Sequence, residues 1–264
     1  MNTMCSWPSD RARFGIIGSI WGVGMHGCVL ACRRWPTICL FSLSILLMTI
    51  AVKADSLTVL PVTVQLAPGQ KTTTLTVINE GNRETSFQIR AYIWRQNETG
   101  DVQLTDTDGL LASPPLGTVA PGARQVIRLV LRQTPQGKEA TYRILVDQIP
   151  PPAAPGTIQI ALRLSIPIFA PPDARVAPHV VWRIETAGGQ AWLVAVNDGS
   201  SHFKVHDMAL RTQGGVTVPI ETANVSPYVV AGTTRRWRLL GHPPGGPLRL
   251  TGNAENGPIE QQVQ

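Results

Sequence analysis

The chain has 264 residues, of which 43% are hydrophobic and 15% charged, and its formal net charge is +6 at pH 7. All four cysteines lie between Cys5 and Cys39, so disulfide, zinc–thiolate and cysteine-nucleophile chemistry is excluded from the rest of the chain. Five basic residues and one acidic residue fall in the first 54, which leaves the remainder at +2 and gives no electrostatic case for a nucleic-acid partner.

The first 54 residues predict a leader that is removed on export. Two adjacent arginines precede an uncharged apolar run over 38–52, and Val52-Lys53-Ala54 places small residues at the positions that a signal peptidase recognises. This run is shorter than the roughly 20 residues of a membrane-spanning helix. We therefore expect cleavage before Asp55, with translation starting at Met1 or Met25. A leader with two membrane spans is the alternative.

After the leader, short runs rich in Val, Ile, Thr and Leu alternate with turn-forming residues, which predicts an all-β fold of sandwich type. The predicted strands of the first half are 56–66, 73–79, 86–96, 125–132, 142–149 and 158–169. Turn signals separate them at 67–70, 79–82, 105–109 and 120–123. In the third of these strands Phe87 and Ile89 fall on the side that faces a core. Trp94 falls on the other side, where we expect packing at a strand edge or against a second domain.

A proline-rich stretch near the middle of the chain predicts a stiff linker between two domains. We assign the first domain to 55–170, the linker to 171–178 and the second domain to 179–264. The predicted strands of the second domain are 179–185, 191–197, 203–211, 217–221 and 234–240. The polar last residues, 251–264, predict a final strand followed by a frayed tail.

The predicted strand 158–169 has an unusually regular apolar face. Its aliphatic residues fall on a single phase: Ile158, Ile160, Leu162, Leu164, Ile166 and Ile168. Such alternation is typical of a strand with one buried side. The pattern alone leaves open whether that side belongs to the chain's own core or binds another molecule.

Motifs for catalysis are missing from the sequence outside the leader. There is no G-x-S-x-G nucleophile motif, and the residues 69–72 form a hairpin turn signal rather than a phosphate-binding loop. His202 and His206 have the even spacing that places two side chains on one face of a strand, but no third ligand is specified. We therefore predict no catalytic residue, no metal and no cofactor, with a metal-dependent exported enzyme as an open alternative.

Several segments together resemble the PapD-like periplasmic pilus-assembly chaperones of the chaperone/usher pathway. The segments that carry the resemblance are 113–132, 142–151, 158–172, 192–211 and 226–239, in one order along nearly the whole chain after the leader. Within that family the chain is most similar to the archaic branch, whose members assemble fibres of spore-coat-U-like subunits.

The resemblance implies two immunoglobulin-like sandwiches in an L or boomerang arrangement, in the periplasm of a Gram-negative bacterium. It also implies a non-enzymatic function: the chaperone lends the last strand of its first domain to a pilus subunit, prevents aggregation and delivers the subunit to an outer-membrane usher. The donor positions that correspond here are Ile158, Ile160 and Leu162, with Leu164 as a fourth.

The family's basic pair, which binds the carboxylate at the end of the subunit chain, is missing here. The two matching positions hold Thr63 and Pro167. Because an arginine suits a carboxylate, we expect Arg90, Arg143 or Arg163 to take over this role. The alternative for each is an ordinary solvated arginine.

Two other interpretations stay open at this point. An exported fibre subunit or adhesin would also be a β-sandwich protein, although the complete two-domain pattern and the linker argue against it. The apolar donor strand also leads us to expect that the free chain self-associates, because an exposed apolar edge tends to pair with a strand of another molecule.

Overall fold

The computed structural model of the protein describes residues 57–152, 156, 159–174, 176–222, 226–241 and 245–264. The predicted leader and Ile158 lie outside the described residues. Within them the chain is all-β, which confirms the predicted fold class. No helix in this part of the chain has the length and apolar character to cross a membrane.

The strands of the first half form two facing sheets, which we call the first sandwich. They are β1 (Leu57–Leu60), β2 (Val64–Gln65), β3 (Thr72–Asn79), β4 (Thr85–Gln96), β5 (Val102–Asp106), β6 (Leu110–Ser113), β7 (Leu116–Val119), β8 (Arg124–Leu131), β9 (Ala140–Ile149) and β10 (Arg163–Ala170). One sheet has the order β1-β3-β8-β6, and the other has the order β2-β10-β9-β4-β5, with β7 also paired to β4. Alternate side chains from both sheets, such as Leu75, Ile127, Phe87 and Ile144, meet in one buried core.

The strands of the second half form the second sandwich in the same way. They are β11 (Val180–Ala187), β12 (Gln190–Asn197), β13 (Phe203–Thr212), β14 (Thr217–Val218), β15 (Tyr228–Val229), β16 (Thr233–Arg238), β17 (Leu248–Ala254) and β18 (Gly257–Val263). One sheet has the order β11-β12-β16, and the other has the order β14-β13-β17-β18, with β15 also paired to β13. Their core contains Trp182, Leu193, Leu210 and Leu250.

A small aromatic cluster joins the two sandwiches. Trp94 and Phe169 come from the first sandwich, and Tyr228 and Val230 come from the second. The ring centroid of Trp94 lies 5.8 Å from that of Phe169 and 5.6 Å from that of Tyr228. The expected packing of Trp94 against a second domain is thereby confirmed. Phe169, near the C-terminal end of β10 and called the base of β10 below, lies directly at the junction.

The structure differs from the predicted strands in several places. The predicted strand 56–66 is two strands in different sheets, because Pro61 has no main-chain N–H to continue the ladder between β1 and β3. The prediction missed β5, which is exposed throughout, the two-residue β15, and β6 and β7, which are short and flank the adjacent prolines 114–115. The last residues form the hairpin β17–β18 instead of a strand with a frayed tail, with its turn at Glu255-Asn256.

The predicted strand 158–169 is also shorter in the structure, because β10 begins only at Arg163. β10 pairs with β9 in a register that places Arg163 opposite Asp147. Continued upstream, this register would place Ile160 opposite Pro150, the first of three consecutive prolines. A proline cannot donate to a ladder, so the pairing ends near Leu162.

Candidate functional site

The candidate site is the edge of β10 that faces away from β9. On this side β10 pairs in parallel with β2, but the pairing covers only Ile168 and Phe169. Among the described residues no other strand pairs with this side of β10. The main chain over 163–167 therefore forms an open edge, and we use that name for it below.

The alternation of the β ladder decides which groups the open edge presents. The main-chain N–H of Gln148 donates to the carbonyl of Leu162 at 2.9 Å, so even-numbered residues direct their main-chain groups toward β9. The carbonyl of Phe169 accepts from Leu66 on the opposite side at 2.9 Å. Arg163 and Ser165 consequently present free N–H and C=O groups at the open edge. Pro167 has no N–H to present there. A sheet tolerates proline at such an edge position because no ladder partner needs that N–H.

The apolar row of this strand is divided between two environments. Ile166 and Ile168 are buried in the core of the first sandwich, and Leu164 packs partly against it. Leu162 is half-buried, whereas the side chain of Ile160 is 80% exposed. Ile166 and Ile168 thus belong to the chain's own core, while Ile160 and the exposed part of Leu162 are available to another molecule.

The three predicted anchor arginines lie on one face of the sheet. Arg163 is directly opposite Asp147 in the register, and Arg90 is directly opposite Leu145, so both share the outward face with Arg143 on β9. The structure therefore brings all three together on the face that points away from the core of the first sandwich.

Two of these arginines share one carboxylate as their ion-pair partner. Arg90 Nη2 lies 2.6 Å from Asp147 Oδ2, and Arg163 forms an ion pair with the other oxygen of the same group. Burial alone would raise the pKa of Asp147, but the hydrogen bonds from Arg163 and Arg90 outweigh it and lower the pKa below its usual range. This triad of Arg90, Asp147 and Arg163 links the start of β10 to β9 and β4.

We expect Arg163→Gln to raise the pKa of Asp147 toward the ordinary value of about 3.9. In the wild-type protein the triad stabilises the fold fully above that value, and this contribution is lost as the pH falls through the lowered folded pKa. A carboxyl ¹³C titration of Asp147 measures the shift. Arg132→Gln is the control, because Arg132 pairs with an exposed Asp108 elsewhere. An unchanged Asp147 titration in Arg163→Gln would contradict this assignment.

Arg143 differs from the other two arginines because no carboxylate among the described residues pairs with it. Its side chain is buried, at 9% exposure, and its Nε has no hydrogen-bond partner in the described part of the chain. The guanidinium carbon lies 3.9 Å from the ring centroid of Trp94, so it stacks on the aromatic cluster at the junction of the sandwiches. Burial lowers the pKa of Arg143, but an arginine keeps its charge at neutral pH.

The residue opposite Arg143 on β10 is Pro167. It is one of the two positions that the sequence resemblance matched to a basic pair. Directly opposed side chains in a sheet are separated by about 5 Å between their Cβ atoms. Arg143 is therefore placed to reach the region that a basic side chain at position 167 would occupy.

The two histidines of the open metal hypothesis do not form a common site. His202 is buried against Glu139, whereas His206 lies at the surface beside Asp207. No group of three metal-binding side chains occurs among the described residues. The even spacing of the two histidines is uninformative because β13 begins only at Phe203.

Sequence comparison identifies the first sandwich. Residues 56–175 match the family model described as pili and flagellar-assembly chaperone, PapD N-terminal domain. The chaperone protein PapD of Escherichia coli is 28% identical over 120 residues, which are 43% of this chain and 48% of PapD. In that match the chain spans about half the length of this curated relative.

Solved structures extend the likeness in fold to both sandwiches. A chain from the CsuC–CsuE chaperone–tip adhesion subunit pre-assembly complex of the archaic Csu pili of Acinetobacter baumannii superposes with a TM-score of 0.61 at 20% identity, over 79% of this chain and 98% of that one. A chain from the SafA pilin–SafB chaperone complex of Salmonella enterica gives 0.59 at 18% identity, over 80% and 98%. Residues 56–175 are thus similar to the PapD N-terminal domain of pili and flagellar-assembly chaperones, and the fold of both sandwiches is similar to that of these solved chains.

Proposed function

We propose that the protein is a periplasmic chaperone that binds pilus subunits by donor-strand complementation, prevents their aggregation and delivers them to an outer-membrane usher. The observation that carries the proposal is the open edge of β10 together with the exposed apolar residues just upstream of it. A subunit that lacks one strand has the complementary surface, which is an unpaired main-chain edge beside an apolar groove. The proposed mechanism uses no cofactor and no nucleotide.

The donor positions are Ile158, Ile160, Leu162 and Leu164, of which the structure describes the last three. Ile160 and Leu162 have the most side-chain surface to give to a subunit, whereas Leu164 already contributes to the chaperone's own core. Burying an Ile or Leu side chain is worth about 1.5–3 kcal/mol before ordering costs. Release then follows when a strand of the next subunit replaces the borrowed one.

The proposal includes the cellular location. Residues 1–54 direct export to the periplasm of a Gram-negative bacterium and are removed there. The first domain, 55–170, carries the donor strand, and the linker 171–178 connects it to the second domain, 179–264. A partner of the spore-coat-U-like class agrees with the resemblance to the archaic branch.

Co-expression with a pilus subunit tests the proposed function. We expect a soluble complex of one chaperone and one subunit, measured by size-exclusion chromatography with light scattering. The competing function, an exported fibre subunit or adhesin, predicts instead that this chain polymerises by itself. A chain that polymerises and holds no subunit would overturn the proposal.

Among the three arginines we propose Arg143 as the residue that binds the terminal carboxylate of the subunit. It is the one without a carboxylate partner, and it is placed opposite Pro167. We expect Arg143→Met to weaken subunit binding by about tenfold or more, because a charge-assisted hydrogen bond contributes about 1.5–3 kcal/mol.

Arg163→Met is the matched control for this prediction, since Arg163 lies on the same face but is paired with Asp147. Affinities for the subunit are compared by isothermal calorimetry. Equal losses in the two variants would show that general positive charge, rather than Arg143, attracts the subunit.

A further inference from the structure

Tyr228, a residue of the second sandwich, packs on the same indole ring as Arg143, that of Trp94. The Trp94 ring makes an edge-on contact with Tyr228 and a stacked contact with Arg143. The Tyr228 hydroxyl is 3.5 Å from Thr63 Oγ1, and Thr63 occupies the other position that the sequence resemblance matched to a basic pair.

The position of Tyr228 is fixed by buried contacts across the junction. Its main-chain carbonyl accepts from Gln96 Nε2 at 3.0 Å and from Arg235 Nη1 at 2.7 Å. Its ring contacts Phe169 at the base of β10, with 5.1 Å between the centroids. The hydroxyl is therefore presented by a rigid support rather than by a mobile loop.

The groups around this point favour an anion. The Arg143 guanidinium is charged and has no anionic partner in the part of the chain that the structure describes. The hydroxyls of Tyr228 and Thr63 are hydrogen-bond donors that can turn toward a carboxylate oxygen. Lys204 Nζ adds positive charge 5.8 Å from the Tyr228 ring centroid, although Glu255 lies 4.0 Å from the same amine. Pro167 supplies neither an N–H nor a polar side chain.

We infer that the carboxylate at the end of a bound chain is held by both domains: by Arg143 from the first and by the Tyr228 hydroxyl from the second, with Thr63 as a third donor. This inference rests on the proposed function, in which Arg143 is the anchor. Its consequence is that ligand binding stabilises the junction of the two sandwiches, because one ligand then bridges them.

A pair of synthetic peptides tests the inference. The probes are an acetylated tetrapeptide of alternating valine and threonine with a free C-terminal carboxylate, and the same peptide as its amide. We expect the wild-type protein to bind the free acid about tenfold more tightly than the amide, as a charge-assisted hydrogen bond requires. Tyr228→Phe keeps the ring in the aromatic cluster. This variant should lose most of the preference for the free acid, while its affinity for the amide peptide stays unchanged.

Tyr142→Phe is the matched control, because Tyr142 lies in the core of the first sandwich, on the face of β9 opposite to that of Arg143. NMR titration of the Arg143 Nε–Hε signal reports binding in each variant. Thr63→Val should lose part of the preference for the free acid. A full preference for the acid in Tyr228→Phe, together with its loss in Arg143→Met, would overturn the inference and leave the anchor intact. No preference in the wild-type protein would overturn the anchor itself, and the inference with it.

Discussion

Replacing Ile160 by Asp is expected to abolish subunit capture while the chaperone stays folded. The side chain is 80% exposed in the free protein and lies outside β10, so the substitution removes no contact of the core. In a complex the same side chain enters an apolar groove, where an unpaired carboxylate costs several kcal/mol. We expect the affinity for a subunit to fall by at least about a hundredfold, since each 1.4 kcal/mol is a factor of ten.

Leu162→Asp should act in the same direction, and Val216→Asp is the control. Val216 is an exposed apolar residue of the second sandwich, at 64%, in the turn before β14. Recovery of the subunit in a pull-down from the periplasm measures capture, and the thermal unfolding temperature measures folding. If both donor-strand variants still protected subunits from degradation, the proposed mechanism would be wrong.

The second large effect is expected at the buried hydrogen bonds between Glu139 and His202, which join the two sandwiches. His202 Nδ1 lies 2.7 Å from Glu139 Oε2, and the main-chain N–H of His202 donates to the same oxygen at 2.8 Å. The His202 ring also stacks on Phe169, with 3.6 Å between the centroids. Glu139→Ala removes the shared acceptor and leaves both donors buried. This should lower the free energy of unfolding by about 2–4 kcal/mol, because a buried donor left without an acceptor costs about 1–3 kcal/mol.

The control for this pair is a similar pair at the surface. His179 and Asp198 form an exposed contact on the second sandwich, and Asp198→Ala should change stability little. Urea unfolding followed by tryptophan fluorescence measures the free energy of unfolding of both variants. Equal losses for the two alanine variants would show that the buried pair does not stabilise the junction.

Much of the first sandwich could be predicted from side-chain alternation. Phe87 and Ile89 were expected to face a core, and both are buried in it. The prediction succeeds because a half-buried strand has a period of two residues that is visible in the sequence itself. It fails for β6 and β7, which are too short and too close to proline to show that period.

The division of the apolar row in β10 could not be predicted, because it depends on a different strand. The phase of Ile160 and Leu162 is the same as that of Ile166 and Ile168, and only the prolines that follow β9 end the pairing. For the same reason the sequence left three arginines as equal anchors. Only the structure shows that Asp147 pairs with two of them.

Tyr228 carried no signal in the sequence that linked it to the candidate site. It lies far along the chain from Thr63 and Arg143, and a lone tyrosine in a strand is most often a packing residue. Its relevance appears only when the aromatic cluster places its hydroxyl beside Thr63.

The central claim is that a subunit strand pairs with the open edge of β10. Amide hydrogen exchange at Arg163 and Ser165 tests it most directly, since these N–H groups point away from β9. In the free chaperone we expect both amides to exchange fast, and in the complex with a subunit we expect their exchange to slow by at least about a hundredfold. Leu164, which pairs with β9 in both states, is the internal reference. Unchanged exchange at Arg163 and Ser165 in a stable complex would contradict the claim.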